Sequence, residues 1–268
     1  VDPAVLVICR LLGISQVFRI NGPAGIAALG FGTESIPKVR KVVGPGSPAV
    51  TLAQVEMQRH GLATMMLLGP TESLVVADNT AHVGRLASDL LIEAEHGTDS
   101  SVVLVCTSQD IIDAVENELQ IQIGDLPANR AEACRASLGD NGGAILVTSL
   151  TEAIDVANVY APEHCQVAVS AQHEEMVVDG IINAGEILIG QHTPFSAGNF
   201  VIGVPASLPT SGFAHVSSGI TVNAFLKHTA IAKANETALR RMAPTVLALS
   251  DHEGFPAHGN AIRRRFPE

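Results

Sequence analysis

The sequence predicts an α/β fold built on a mostly parallel sheet. Short runs of Val, Ile, Leu and Ala, each of the length of a buried strand, alternate along the chain with stretches of helical periodicity. Hydrophobic residues make up 47% of the 268 residues but aromatic residues only 3%, so the core must be aliphatic. Aliphatic strands that are buried on both faces are typical of parallel sheets covered by helices.

The alternation begins at the N-terminus. Asp2, Pro3 and Gly13 provide a cap, a first-turn proline and a stop for one helix, and QVFRIN (16–21) follows as a candidate strand. The further candidate strands are residues 73–78, 101–106, 143–148, 165–170 and 185–190. Helical patterns separate most of these strands, which predicts βαβ units.

The segment after Gly190 has a different composition. Pro, Gly, Ser and Thr dominate it through Gly212, which predicts a long irregular loop of the kind that often carries function. Two helical patterns follow, at residues 222–234 and 236–250. They predict a small helical region at the C-terminal end.

Charge and cysteine content limit the possible partners. The net charge of −11 disfavours binding to nucleic acid or to an anionic membrane surface. The basic run at residues 263–265 is typical of a solvated helix face. The cysteines, at positions 9, 106, 134 and 165, form no CxxC pair, and no segment has 18 uncharged apolar residues. We therefore expect reduced thiols and a cytoplasmic protein without nucleic-acid or membrane partners.

The strongest helical pattern ends in a Glu and a His. Thr80 and Gly97 bound this helix as cap and stop, and Glu93 and His96 lie three positions apart near its end. That spacing places a carboxylate and an imidazole on one face, where both could bind one metal ion. A His in the last turn is also stabilised by the helix dipole, which requires no metal.

The stretch NVYAPEH places Glu163 and His164 directly after Pro162. Proline ends the preceding helix and favours an extended conformation at Ala161. In a turn both side chains could project into one cleft and divide the work of a general base and a general acid, although an ordinary loop pair would look the same.

Two glycine-proline turns could face an anion with their backbone N–H groups. They are GPGSP (44–48) and GPTE (69–72). Neither has the spacing of GxGxxG or of a P-loop, so plain turns remain the alternative.

Longer motifs carry a family resemblance. They are GIAALGFGTESIPKV, VVGPG, GPTESLVVAD, ASDLLIEAEHG, YAPEH, NAGEILIG, SAGNF and LPTSG. In order and register they resemble the histidinol dehydrogenase family, and the similarity continues to EGFPAHGNAIRRRF at the C-terminal end.

The resemblance implies incomplete Rossmann-like, mostly parallel sheets in two domains with a small helical C-terminal tail. The expected parts are a partial dinucleotide-binding-like domain at 1–68, a main α/β domain at 69–213 and a tail at 214–268. Family members work as intertwined homodimers that oxidise an amino alcohol to an acid in two oxidations, using two NAD molecules and one zinc.

The same resemblance implies roles for individual residues. Glu163 and His164 match the catalytic pair of the family, in which Glu163 activates water and His164 shuttles the proton of the alcohol. The metal positions are Glu93, His96, Asn199 and His258. The substrate-binding positions are Thr71, Glu93, His96, Asn199, Glu253 and His258. The NAD-binding positions are Ala24, Gly44, Gly46 and Ser47.

Several positions depart from the family pattern. Glu93 replaces a Gln and Asn199 replaces an Asp, so the total charge of the zinc ligands is unchanged. Ala206 replaces a His, Ile92 a Ser and Ala24 a Gln. The loss of hydrogen-bonding groups from the pocket predicts a substrate that is less polar than histidinol.

Family chains also carry a preceding segment with a wall of the nicotinamide site, which this sequence lacks. We expect sheet edges that dimerisation could cover. We interpret the chain as a zinc- and NAD-dependent alcohol dehydrogenase with a changed substrate. The alternative is a metal- and NAD-independent enzyme that uses Glu163 and His164 for a cyclisation, isomerisation or elimination. A non-catalytic binding module is disfavoured by the retained side chains.

Overall fold

The computed structural model describes residues 1–65 and 69–266. The chain divides into two compact units, Val1–Phe225 and Leu226–Glu268. The predicted boundary at 68 falls outside the described residues, and the finer domain division stays a prediction. Among the described residues, no helix is both long and apolar enough to cross a membrane.

The N-terminal part of the first unit is small. Its elements are α1 (Pro3–Leu11), α2 (Gly22–Phe31), β1 (Lys41–Val42), α3 (Pro48–Gln58) and β2 (Ala63–Thr64). The side chain of Asp2 accepts a hydrogen bond from Ala4 N, as expected for a cap. Strands β1 and β2 pair in parallel. The predicted strand at 16–21 is wrong: within residues 1–65 and 69–266 no strand pairs with this segment, and a strand requires a partner for its hydrogen bonds.

A five-stranded parallel sheet forms the main part of the first unit. Its strands are β3 (Glu72–Ala77), β4 (Ser101–Cys106), β5 (Gly143–Leu146), β6 (His164–Ala168) and β7 (Glu186–Ile189), in the order β5-β4-β3-β6-β7. The connecting helices are α4 (Val83–Ala94), α5 (Gln109–Gly124), α6 (Ala128–Gly139), α7 (Leu150–Tyr160), α8 (Ala171–Gly180) and the short α9 (Phe195–Phe200). The predicted α/β class with a mostly parallel sheet is confirmed.

Both faces of this sheet are buried. Val75 and Ala77 of β3 pack with residues of α4, α5, α6 and Phe195 on one face, whereas Leu74 and Val76 pack with residues of α7 and α8 on the other. Because side chains alternate along a strand, His164 shares the first face and the next residue, Cys165, shares the second. His164 therefore points toward the layer that contains α4 and α9.

The second unit consists mainly of α10 (Glu236–His252) and α11 (Pro256–Arg263). Asn235 caps α10 by accepting from Ala238 N. The helix predicted at 222–234 is wrong: residues 222–225 form a single 3-10 turn and residues 226–235 have no regular structure. Their apolar side chains are exposed, so no packed face supports a helix there.

The chain enters β6 through an unusual residue. Ala161 has φ 52° and ψ 61°, the left-handed conformation, and its N–H donates to Ala157 O to end α7. The predicted extended conformation at Ala161 is therefore wrong. A residue in the left-handed conformation ends a helix and changes the direction of the chain. Pro162 and Glu163 therefore lead from the end of α7 directly into β6.

Gly185→Ala is expected to destabilise the fold at the beginning of β7. A Cβ at Gly185 would lie 2.5 Å from Glu163 O and 3.1 Å from Pro209 Cδ. The backbone of β6 and β7 would have to separate, and we expect a loss of about 2 kcal/mol or more in the free energy of unfolding, measured by denaturant titration. Gly124→Ala, whose Cβ meets nothing within 4 Å, is the matched control. Equal stability of the two variants would contradict the proposed close approach.

Candidate active site

A cavity of about 370 Å³ lies at the amino ends of β3 and β6. Its walls contain the catalytic, metal and substrate positions predicted within the first unit, namely Thr71, Glu93, His96, Glu163, His164 and Asn199. The structure thus brings together residues from four separate elements of the sequence. Ile92, Phe200 and Ala206 add an apolar wall.

Helix α4 directs Glu93 into this cavity. Glu93 is 1% exposed, and its Oε1 accepts a hydrogen bond of 2.8 Å from Nδ2 of Asn199 in α9. Nδ1 of His96 lies 3.4 Å from Oε2 of Glu93 and 3.2 Å from Ile92 O. The i, i+3 spacing therefore places the two side chains as predicted, while the contact with Asn199 joins α4 to α9.

His164 lies among carboxylates. Its Nε2 is 3.7 Å from Oε1 of Glu163 and 4.0 Å from Oε1 of Glu93. Its Nδ1 is 2.5 Å from Oε1 of Glu186. The second oxygen of Glu163, Oε2, accepts from Glu72 N at 3.2 Å. The imidazole is thus the buried basic group nearest to these three carboxylates.

Burial gives Glu163 the properties of an acid-base group at neutral pH. Desolvation raises the pKa of Glu163 to about 7, against the lowering effects of His164 and of the Glu72 N–H. Burial by itself lowers the pKa of His164, but the hydrogen bond that it donates to Glu186 and the nearby carboxylates raise this pKa above its ordinary value. A carboxyl group with a pKa near neutrality is suited to proton transfer at physiological pH.

Comparison with known proteins decides the family. The family model described as histidinol dehydrogenase matches residues 1–266. The chain belongs to the histidinol dehydrogenase family.

Individual members support the assignment. Histidinol dehydrogenase from Methanosarcina mazei is 38% identical over 99% of this chain and 60% of its own length. The protein of the same name from Synechocystis sp. is 41% identical over 99% of this chain and 60% of its own length. The crystal structure of histidinol dehydrogenase from Elizabethkingia anophelis has a TM-score of 0.93 and 34% identity, covering 98% of this chain and 59% of that chain. The family and fold predictions are confirmed.

The chain spans about 60% of the length of the curated histidinol dehydrogenases that it matches. The activity and partners of those longer proteins therefore apply to this chain only as proposals.

The zinc implied by the histidinol dehydrogenase family can be tested against the donors present. Within the described ranges, no group of three His, Cys, Asp or Glu side chains is arranged to hold a metal ion. Glu93 and His96 nevertheless offer oxygen and nitrogen close together, and Asn199 adds an amide oxygen at the same cavity. Oxygen and imidazole nitrogen are ordinary zinc donors, so the chemistry of this partial set fits zinc.

Other family positions lie elsewhere. Glu253 follows α10 and His258 lies in α11; both are exposed residues of the second unit, and their predicted roles stay predictions. Gly44 lines a cavity of about 170 Å³ together with Gly22 at the beginning of α2. Ser47 precedes α3 and makes no side-chain cap. Two helix beginnings near one cavity suit the phosphates of a dinucleotide, while Ala24 and Gly46 are outside that lining.

Glu186 is the residue that sequence reasoning missed. It appears in the motif NAGEILIG only as the first residue of an apolar strand. A buried carboxylate at the beginning of a parallel strand was the available signal, since such a group requires a partner. The partner, His164, lies 22 positions away in sequence.

Glu163→Gln is expected to change how stability depends on pH. Since the pKa of Glu163 is about 7 in the folded chain against an ordinary 4.5, the folded chain keeps this proton where the unfolded chain has lost it. The contribution of Glu163 to the free energy of unfolding therefore falls as the pH rises from about 5 to about 7, by on the order of 2 kcal/mol. The variant lacks this loss in denaturant titrations.

The control for this measurement is Glu175→Gln, which removes an exposed carboxylate from α8. It should follow the parent at every pH. A Glu163→Gln protein with the parent's pH dependence would contradict the raised pKa.

Proposed function

We propose that the protein is a zinc- and NAD-dependent alcohol dehydrogenase with a substrate less polar than histidinol. The observation that carries this proposal is the position of Glu163 and His164 on one cavity with Glu93, His96 and Asn199. A proton-transfer pair beside a set of zinc-type donors suits a metal-assisted alcohol oxidation, because the base can take the proton of an alcohol whose oxygen the metal polarises.

The residues of the chain divide the work. His164 presents Nε2 toward Glu163 and Glu93 and takes the proton of the alcohol. Glu163, whose pKa is raised to about 7 by burial, accepts a proton from water in the second oxidation. Thr71 and Glu253 contact the substrate by family resemblance. The buried carboxylate of Glu93 remains ordered by Asn199 throughout.

The proposed cofactors supply the remaining chemistry. Zinc, held by Glu93, His96 and Asn199 at the cavity, would polarise the alcohol oxygen, and the role of His258 stays a prediction of the family resemblance. NAD, held near Ala24, Gly44, Gly46 and Ser47, would accept one hydride in each of the two oxidations, so that two NAD molecules are consumed for each alcohol.

The preference for a less polar substrate is supported by the cavity wall. Ile92, Phe200 and Ala206 place side chains without hydrogen-bonding groups on it. Contact between an apolar wall and an apolar substrate group makes the free energy of binding more favourable, by about 25 cal/mol per Å² of apolar surface removed from water.

A cytoplasmic homodimer is proposed on the same family resemblance. Support comes from α1, whose apolar residues Val5, Leu6, Val7 and Ile8 are exposed. Surfaces of this kind are commonly covered in oligomers.

A second function is a proton transfer without metal or NAD. It is favoured by one observation: the amide of Asn199 already donates to Glu93, so these two groups satisfy each other without a cation. A cyclisation, isomerisation or elimination would then use Glu163 and His164 alone.

The test is elemental analysis for zinc together with NAD titration by calorimetry, followed by an alcohol screen. L-Histidinol, L-leucinol and L-phenylalaninol differ in side-chain polarity and serve as probes, with NADH formation as the signal. Zinc, NAD binding and a higher kcat/KM for the apolar alcohols support the dehydrogenase. Absence of both cofactors would favour the second function.

Glu163→Gln is expected to remove most turnover, whichever substrate is used. Loss of a positioned acid-base group costs about 100-fold to 10000-fold in rate. The amide keeps the shape of the side chain, so circular dichroism should be unchanged. Glu175→Gln should retain the parent rate, and a fully active Glu163→Gln protein would overturn the acid-base role.

Asn199→Asp is expected to tighten zinc binding. The new carboxylate would replace an amide at 2.8 Å from Oε1 of Glu93, and two carboxylates so close repel each other unless a cation lies between them. We expect zinc affinity to rise by about 10-fold or more, and the metal-free variant to melt at a lower temperature than the parent. Calorimetric titration with zinc and thermal melts measure both effects. An unchanged zinc affinity would contradict the placement of Asn199 among the ligands.

A further inference from the structure

The contact between Glu186 and His164 is determined by the sheet. His164 is the first residue of β6 and Glu186 the first residue of β7, and the parallel register makes them direct partners. Their side chains share one face of the sheet, so a short bond of 2.5 Å joins Nδ1 to Oε1. Glu186 is 7% exposed and His164 is 4% exposed. Water therefore has little access to compete for this hydrogen bond.

The imidazole ring is held on its other sides as well. The ring of Phe195 meets it edge to face, with centroids 5.7 Å apart. Nε2 points the opposite way, to Glu163 and Glu93 at the cavity. A rotation of the ring would bring its carbon edge to Glu186 and would leave the buried carboxylate without a donor.

The carboxylate itself has little freedom to move away. A Cβ at Gly198 would lie 3.2 Å from both oxygens of Glu186, so the backbone of α9 packs directly over them. Oε2 of Glu186 has no hydrogen-bond partner among the described residues. Within that part of the chain, the bond to His164 is therefore the one hydrogen bond that the carboxylate forms.

We propose that Glu186 is a positioning residue that keeps the hydrogen of His164 on Nδ1 and leaves Nε2 to receive the substrate's proton. A carboxylate oxygen accepts hydrogen bonds and does not donate them, so the nitrogen that faces it must carry the hydrogen. The inference rests on the proposed function, because it gives His164 the role of proton acceptor. It adds the group that selects which nitrogen reacts.

The first test is a nuclear magnetic resonance spectrum of ¹⁵N-histidine-labelled protein without substrate, NAD or zinc. We expect a strongly downfield Nδ1–H resonance, assigned to His164 by its disappearance in His164→Gln. It should persist in Glu175→Gln and be lost or shifted upfield in Glu186→Gln. Absence of the resonance in the parent would overturn the proposal, and that result needs no Glu186 variant to fold.

The second test is the kinetics of Glu186→Gln with the best alcohol of the screen. A neutral amide can turn its N–H₂ group to the ring and favour the wrong tautomer, as happens when the triad Asp of a serine protease becomes Asn. We expect kcat to fall by roughly 10-fold or more while KM stays within about twofold. An unchanged kcat, or a resonance that does not differ between parent and variant, would overturn the positioning role.

The two proposals fail in different ways. A chain that shows the resonance but oxidises no alcohol would overturn the dehydrogenase and support the tautomer. A chain that oxidises alcohols but lacks the resonance would support the dehydrogenase and overturn the proposed tautomer of His164.

Discussion

The pairing of β6 between β3 and β7 is the constraint on which the site depends. Parallel register places His164 beside Ser73 on one side and Glu186 on the other. Glu163, one residue earlier, is thereby placed against the backbone N–H of Glu72. Since these bonds belong to buried strands, the proposed catalytic pair is held in place by the same interactions that hold the sheet together. The left-handed Ala161 allows the chain to reach that position directly from α7.

The electrostatics of the site follow from burying carboxylates at one edge of the sheet. Glu93, Glu163 and Glu186 all lie within 4.0 Å of the imidazole of His164. Buried like charges are costly unless protons or cations balance them. Desolvation raises the pKa of Glu163 to about 7, while the hydrogen bond to Glu186 and the nearby carboxylates raise the pKa of His164, against the effect of burial, and make it a stronger proton acceptor. The cluster is therefore suited both to transferring protons and to attracting a cation.

Helix α9 connects the two parts of this cluster. Its Asn199 orders Glu93 of α4, and its Gly198 packs on Glu186 of β7. Phe195, fully buried, lies against His164 from the same helix. One short helix in the long loop thus supports the zinc-type donors and the proton-transfer pair together.

Much of the fold and part of the site could be predicted because the signals were local. Aliphatic runs gave the strands of the main sheet, and the spacing of Glu93 and His96 placed them on one helix face. Local signals failed where secondary structure depends on pairing or packing with another segment of the chain. Among the described residues, no strand pairs with residues 16–21 despite their strand composition, and the large apolar side chains of residues 222–234 are exposed despite their helical periodicity.

The sequence by itself determined the α/β class and the family motifs, and it pointed to Glu163 and His164 as the proposed proton-transfer pair. Tertiary structure alone decided which groups the side chains of the site contact. Asn199 reaches Glu93 across 106 positions, and Glu186 reaches His164 across 22. The physical reason is that hydrogen bonds and desolvation act over a few ångströms in space. Strand register and helix packing, which bring distant residues that close, are properties of the folded chain.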